Sequence, residues 1–228
     1  MNNGLELDNV VLLGRTYAEY ARFFDFDSLD LPNISMLDVG GGVSSFCSEA
    51  QQQGLQVLAT DPIYGTEANI LKAKCQKDLQ TVMTQLPKVK HQYNWQFYKD
   101  IGHLTEYRTQ AYQTFISHYQ AHPKHYITSS LPSLPFTTNS FDVTFVSHLL
   151  FLYEHVFDYD FHRQSLLELA RVTRQQIRIY PLTNFQAERS TYIERIQQDK
   201  LLNDLKFNIV PIEFEFSKNA NQMLIVTV

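Results

Sequence analysis

The stretch MLDVGGGVSSF, residues 36–46, narrows the folds open to this chain more than any other. An apolar run, ISMLDV (34–39), ends at an aspartate and a valine, and three glycines follow. A short apolar segment bounded by glycine suits a buried parallel strand. Ser44 or Ser45 is placed to cap a helix over 44–53, and Gly54 to end it. LQVLATD (55–61) then reads as a second strand, stopped by Pro62. Strand, glycine loop, helix and strand together form the first crossover of a parallel sheet.

The rest of the chain extends that pattern. Before the first strand, GRTYAEYARFFDF has Tyr17, Tyr20, Ala21 and Phe24 at helical spacing. Residues 67–123 carry no strand pattern; two helical runs, joined by the aromatic HQYNWQFYKDIGH, read as a helical insertion able to cap a site. Strand signals return at 125–130 and 141–150, followed by a helix at 161–175 with Leu166, Leu167, Leu169 and Val172 on one face. A strand at 176–182, a helix at 185–205 and two strands, 207–216 and 221–228, complete the order. The turn SKNA is too short for anything but an antiparallel hairpin. The expected fold is α/β, a doubly wound, mixed, seven-stranded sheet ending in a hairpin. One domain spans 1–228, with an N-terminal helical segment at 1–33 and the insertion at 67–123. Ligands of such sheets lie beyond the carboxyl ends of the strands, which here carry Asp38, Asp61, Ser130, His148 and Pro181.

Composition removes several functions. A net charge of -5 offers no electrostatic grip on nucleic acid or on an anionic membrane. No apolar run reaches membrane-spanning length, and no leader pattern opens the chain. Cys47 and Cys75 form no C-x-x-C unit, as suits a reduced, cytoplasmic protein. His118 and His122 stand four apart with His125 close by, but no glutamate or cysteine completes a zinc set, so no metal is expected.

The glycine loop raises the question of its nucleotide. Gly40 suits a tight turn, Gly42 a close backbone approach, and Asp61 at the next strand end suits ribose hydroxyls. A pyrophosphate on the loop would face the Asp38 carboxylate, and the G-K-[ST] of a triphosphate loop is absent. S-adenosylmethionine carries an ammonium and a sulfonium and no phosphate, so this charge pattern favours it. MLDVGGGVSSF, VLATDPIY, LPSLPFTTNSFDVTFVSH and LLELARVTRQQIRIYPL together resemble the successive motifs of class I S-adenosylmethionine-dependent methyltransferases. The resemblance runs from about Ile34 to the end, excluding the insertion. It implies that Gly40, Gly41 and Gly42 line the methionine portion with Asp38, and that Asp61 and Pro62 meet the ribose. Ser130 stands where many members have an aspartate toward the adenine, and the Leu131 backbone meets the adenine edge. Ser147 borders the same cleft. Arg15, with Tyr17 and Tyr20 nearby, is the candidate for the cofactor carboxylate, a solvated arginine being the alternative.

Methyl transfer is an in-line displacement in which the protein mainly aligns the reactants and removes at most one proton. SHLLFLYEH (147–155) lies where an acceptor enters. His148 is the candidate general base, and Tyr153 and Glu154 are candidate acceptor contacts. VSHLL stands in place of the Asn- or Asp-Pro-Pro-aromatic motif that often marks methyltransferases acting on exocyclic amines, which weighs against a nucleic-acid or glutamine target. With the Asp38 and glycine loop, Asp61 and an aromatic insertion able to cover a pocket, a small-molecule acceptor methylated at oxygen or carbon is expected. Two alternatives stay open: a non-catalytic domain binding S-adenosylmethionine or a partner, and an RNA or protein methyltransferase using the insertion's lysines.

Overall fold

A computed structural model describes residues 10–228; the part of the N-terminal segment at 1–9 lies outside them. Seven strands form one sheet: β1 (Ser35–Val39), β2 (Gln56–Asp61), β3 (Tyr126–Thr128), β4 (Phe141–Ser147), β5 (Thr173–Tyr180), β6 (Lys206–Pro211) and β7 (Gln222–Thr227). Their order is β3-β2-β1-β4-β5-β7-β6, with β7 antiparallel to both neighbours and every other pairing parallel. The order reverses between β1 and β4, the switch point at which ligands of doubly wound sheets collect. This is the mixed, seven-stranded sheet expected from the sequence.

The helices are α1 (Tyr17–Phe23), α2 (Phe46–Gln52), α3 (Ala68–Val89), α4 (Ile101–Ala121), α5 (Tyr159–Val172) and α6 (Tyr192–Gln198). Strand alternation divides the core in two. Met36, Val143, Phe145 and Met223 face α1–α4, whereas Leu37, Val39, Val146, Ile177 and Ile179 face α5 and α6. Burial on both faces explains why β1 and β4 read as continuous apolar runs. On α5, Leu166, Leu169 and Val172 are fully buried, but Leu167 is 42% exposed and belongs to the solvent side, contrary to its expected place. No described helix is long and apolar enough to cross a membrane.

Three of the boundaries that differ from expectation have a visible cause. The fourth strand stops at Ser147 because His148 takes a left-handed φ of 53°, which ends the ladder. The sixth stops at Pro211; Ile212 N still donates to Asn221 O at 2.9 Å, and residues 213–216 then leave the sheet. There Phe216 stacks on Tyr93 at 4.7 Å and meets Tyr98 edge-on at 4.6 Å, so this connection packs on the insertion instead of extending a hairpin. The long helix expected at 185–205 shrinks to α6, because Thr183–Arg189 form a turn of their own.

Candidate functional site

At the carboxyl ends of β1, β2, β4 and β5 lies a cavity of about 510 Å³. It runs from Gly40–Ser44, Asp61, Pro62, Ser130 and Leu131, past Arg15, Ser147 and His148, to a wall of aromatic and aliphatic side chains. Tyr153 also lines it; Asp38, Tyr20 and Glu154 do not.

The glycine loop shows why three glycines are needed. Gly40 and Gly42 have φ of 70° and 54°, in the left-handed region. A Cβ on Gly41 would lie 2.7 Å from the Asp38 carboxylate and 2.9 Å from the Tyr64 hydroxyl. A Cβ on Gly42 would meet only the Asp61 carboxylate, at 3.9 Å, so the missing side chain leaves open space on the cavity wall. The loop amides are already engaged. Gly40 N and Gly41 N donate to Thr60 O at 2.8 and 3.1 Å, and Gly42 N donates to Asp61 Oδ2 at 2.9 Å. Ser45 N, at the head of α2, donates to Arg15 O at 2.9 Å. A pyrophosphate therefore finds no free row of N–H groups of the kind dinucleotide loops present.

Asp38 needs a correction. It is 1% exposed and lies behind Gly41, where it accepts a hydrogen bond from the Tyr20 hydroxyl at 3.0 Å. Burial pushes its carboxyl up to about 7, against the Tyr20 bond and helped by the nearby Asp61. It supports the loop from beneath and does not face the cavity. Because the folded state holds this proton more firmly than the unfolded chain, the associated stability is complete below about pH 4 and is lost as pH rises toward 7. Asp38→Asn, which keeps the acceptor for Tyr20, is expected to gain on the wild type between pH 4 and pH 7 by roughly 1.4 kcal/mol per pH unit crossed, and no further above pH 7. Thermal melts of both proteins across the range check this; a constant gap would contradict it.

Asp61 does face the cavity. Its Oδ1 accepts from Ile63 N at 3.0 Å and its Oδ2 from Gly42 N. Burial raises its pKa, and these two bonds oppose the rise. Arg15 is half-buried, its guanidinium donates to Leu13 O, and its Nε is buried with no partner. No carboxylate pairs with it among the described residues, and burial, then the charge of Arg108, pushes its pKa down to about 10. Ser129 Oγ and Thr183 Oγ1, two more buried polar atoms without partners, also line the cavity. Orphaned donors in one cleft fit a polar ligand.

His148 lies where β4 ends. Its backbone N–H donates to Tyr180 O at 2.6 Å, and its Nδ1 lies 2.9 Å from Ser147 Oγ. Burial and then the charges of Arg15 and Arg108 push its pKa well below the usual imidazole value, so it is neutral at pH 7. The Tyr153 hydroxyl accepts from Val11 N at 3.4 Å, and burial raises its pKa. Glu154 is turned away, bonded to Asn184 and Ser190.

Sequence reasoning missed the group that orders this end. Arg108 Nη1 donates to Glu19 Oε1 at 2.7 Å and Nη2 to the Tyr98 hydroxyl at 2.8 Å, while Tyr98 also donates to Glu19. It missed Phe23, Tyr180, Phe214 and Phe216 on the cavity wall as well. The one available signal was T-x-x-E at Thr16–Glu19, a capping box in this structure. Of the insertion's rings, Tyr93 and Tyr98 reach the cavity, whereas Phe115 and Tyr119 pack with Tyr64 and Tyr126. No group of three metal-ligating side chains occurs among the described residues.

No family model matches the chain. Among solved structures, magnesium protoporphyrin IX methyltransferase from Synechocystis PCC 6803 with bound SAM is 14% identical, covering 92% of this chain and 77% of that one at a TM-score of 0.47. A SAM-dependent methyltransferase from Aquifex aeolicus is 14% identical, covering 92% and 93% at a TM-score of 0.43. In sequence, the protein named Uncharacterized protein MJ0045 from Methanocaldococcus jannaschii is 35% identical over 223 residues, 97% of this chain and 98% of that protein. With so high an identity along nearly the whole of both chains, this protein belongs to the family of the Methanocaldococcus jannaschii protein.

Proposed function

We propose that the protein is an S-adenosylmethionine-dependent methyltransferase acting on a small-molecule acceptor at oxygen or carbon. The observation that carries this reading is the single cavity joining a glycine loop with spent amides, a ribose-ready Asp61 and an unpartnered Arg15 to an aromatic chamber. Gly40–Gly42 and Arg15 would hold the amino-acid tail, Arg15 meeting its carboxylate. Asp61 and Pro62 would hold the ribose, and Ser130 and Leu131 the adenine. When bound, S-adenosylmethionine supplies a methyl group on positively charged sulfur. The chain's own part is to exclude water with its aromatic walls, align the acceptor and accept a proton at His148, whose neutrality at pH 7 leaves a nitrogen free for it.

Titration calorimetry with S-adenosylmethionine, S-adenosylhomocysteine and NAD tests the reading. Binding of the first two and not of NAD supports it; tight NAD binding without the others would sink it. On an acceptor that turns over, His148→Asn should lower kcat about 10²–10⁴-fold and leave S-adenosylhomocysteine affinity unchanged. Asparagine accepts the left-handed backbone found there, so the change tests the imidazole and not the turn. An unaltered kcat would reduce His148 to a wall residue.

A further inference from the structure

We infer that the acceptor is a ring-bearing acid bound as its anion, and not an amine. This rests on the cofactor reading above and adds the charge and shape of the second ligand.

The shape comes from the rings. Phe23 stacks on Tyr180 at 4.6 Å and meets Phe214 edge-on at 4.8 Å, and Tyr93 stacks on Phe216 at 4.7 Å. All five line the cavity, and they come from α1, the end of β5, the α3–α4 connection and the β6–β7 connection. Walls of packed rings from four separate elements favour a flat apolar guest.

The charge comes from a census of the lining. Its one carboxylate among the described residues is Asp61, at the glycine-loop end and bonded to Gly42 and Ile63. Its cations are Arg15, Lys74 and Arg108. Glu19 answers Arg108 at 2.7 Å and Asp78 answers Lys74 at 2.7 Å, both from behind the wall; Asp61 balances Arg15 by count but is spent on the glycine loop, so Arg15 has no ion-pair partner among the described residues. The charge of Arg15 acts on Tyr93, Tyr153, Tyr180 and His148 of the cavity wall; Asp78 opposes it at Tyr153, and Glu215 and Glu19 at Tyr180, but none of these three carboxylates lines the cavity. A cofactor carboxylate on Arg15 does not remove this local positive charge, because S-adenosylmethionine also brings an ammonium and a sulfonium, and S-adenosylhomocysteine an ammonium. Between walls of packed rings, such a local positive charge attracts an anion and repels an ammonium.

Three probes of one shape separate the charges: cinnamate, cinnamyl alcohol and cinnamylammonium, titrated calorimetrically into the protein loaded with S-adenosylhomocysteine. Cinnamate is expected to bind at least about tenfold more tightly than cinnamylammonium, with the alcohol between them. Equal or tighter binding of the ammonium overturns the inference and leaves the cofactor reading intact, as does failure of all three to bind. If S-adenosylhomocysteine itself does not bind, both fall.

Discussion

Asp61→Ala is expected to weaken S-adenosylhomocysteine binding at least about 100-fold while the protein stays folded. A carboxylate has about four acceptor positions, and the structure accounts for two of them, through Gly42 N and Ile63 N. The remaining two face the cavity at the end of β2, where a ribose can present two hydroxyls. Hydrogen bonds to a charged group contribute about 1.5–3 kcal/mol each, so losing two gives a factor between about 10² and 10⁴. The variant also frees Gly42 N, which loosens the loop that the ligand's other end must touch. Asp61→Asn, isosteric but uncharged, should fall between alanine and the wild type. Calorimetry gives the affinities, and a thermal melt separates lost binding from lost fold. An alanine variant within a few-fold of the wild type would mean that Asp61 serves the loop alone, and the ribose assignment would have to be abandoned.

The sheet was legible in the sequence because parallel strands buried on both faces announce themselves as apolar runs between glycines and prolines. ISMLDV and LQVLATD fall within a residue of β1 and β2 for that reason. Legibility failed where long-range packing overrode local pattern. FEF at 214–216 alternates like a strand, yet Phe214 and Phe216 are drawn off the sheet by Tyr93, Tyr98 and Phe97 of the insertion. No local window contains those partners. Asp38 shows a subtler failure. Its place beside the glycines was readable, but its direction was not, since a side chain on a buried strand points to one face or the other. The structure turns it toward Tyr20, and the loop amides are bonded to Thr60 and Asp61, an engagement that no residue identity encodes. Arg15 could be nominated from its position, but its lack of a carboxylate depends on Glu19 being taken by Arg108, a contact across 89 residues.

That contact underlies the largest expected loss of stability. Glu19 is 0% exposed and uses both oxygens: Oε1 accepts from Arg108 at 2.7 Å and from Tyr98, and Oε2 accepts from Thr16 N at 2.8 Å and Thr16 Oγ at 3.0 Å. Burial alone would raise its pKa, but Arg108, Arg15 and these bonds outweigh it and hold the carboxyl below its usual range. Glu19 therefore closes the capping box of α1 and also ties α1 to α4 of the insertion. Glu19→Ala strands one buried guanidinium group, Arg108, with no carboxylate beside it. Removing one partner of a buried pair costs about 3–5 kcal/mol, which for a chain of this length lowers Tm by about 6–20 °C. Glu19→Leu combined with Arg108→Met should melt higher than either single variant, because the penalty comes from the abandoned charge and not from the missing attraction. Melting curves of the set decide it. A Glu19→Ala protein as stable as the wild type would mean that water or a shifted side chain answers Arg108, and the cavity wall it braces would not depend on this pair.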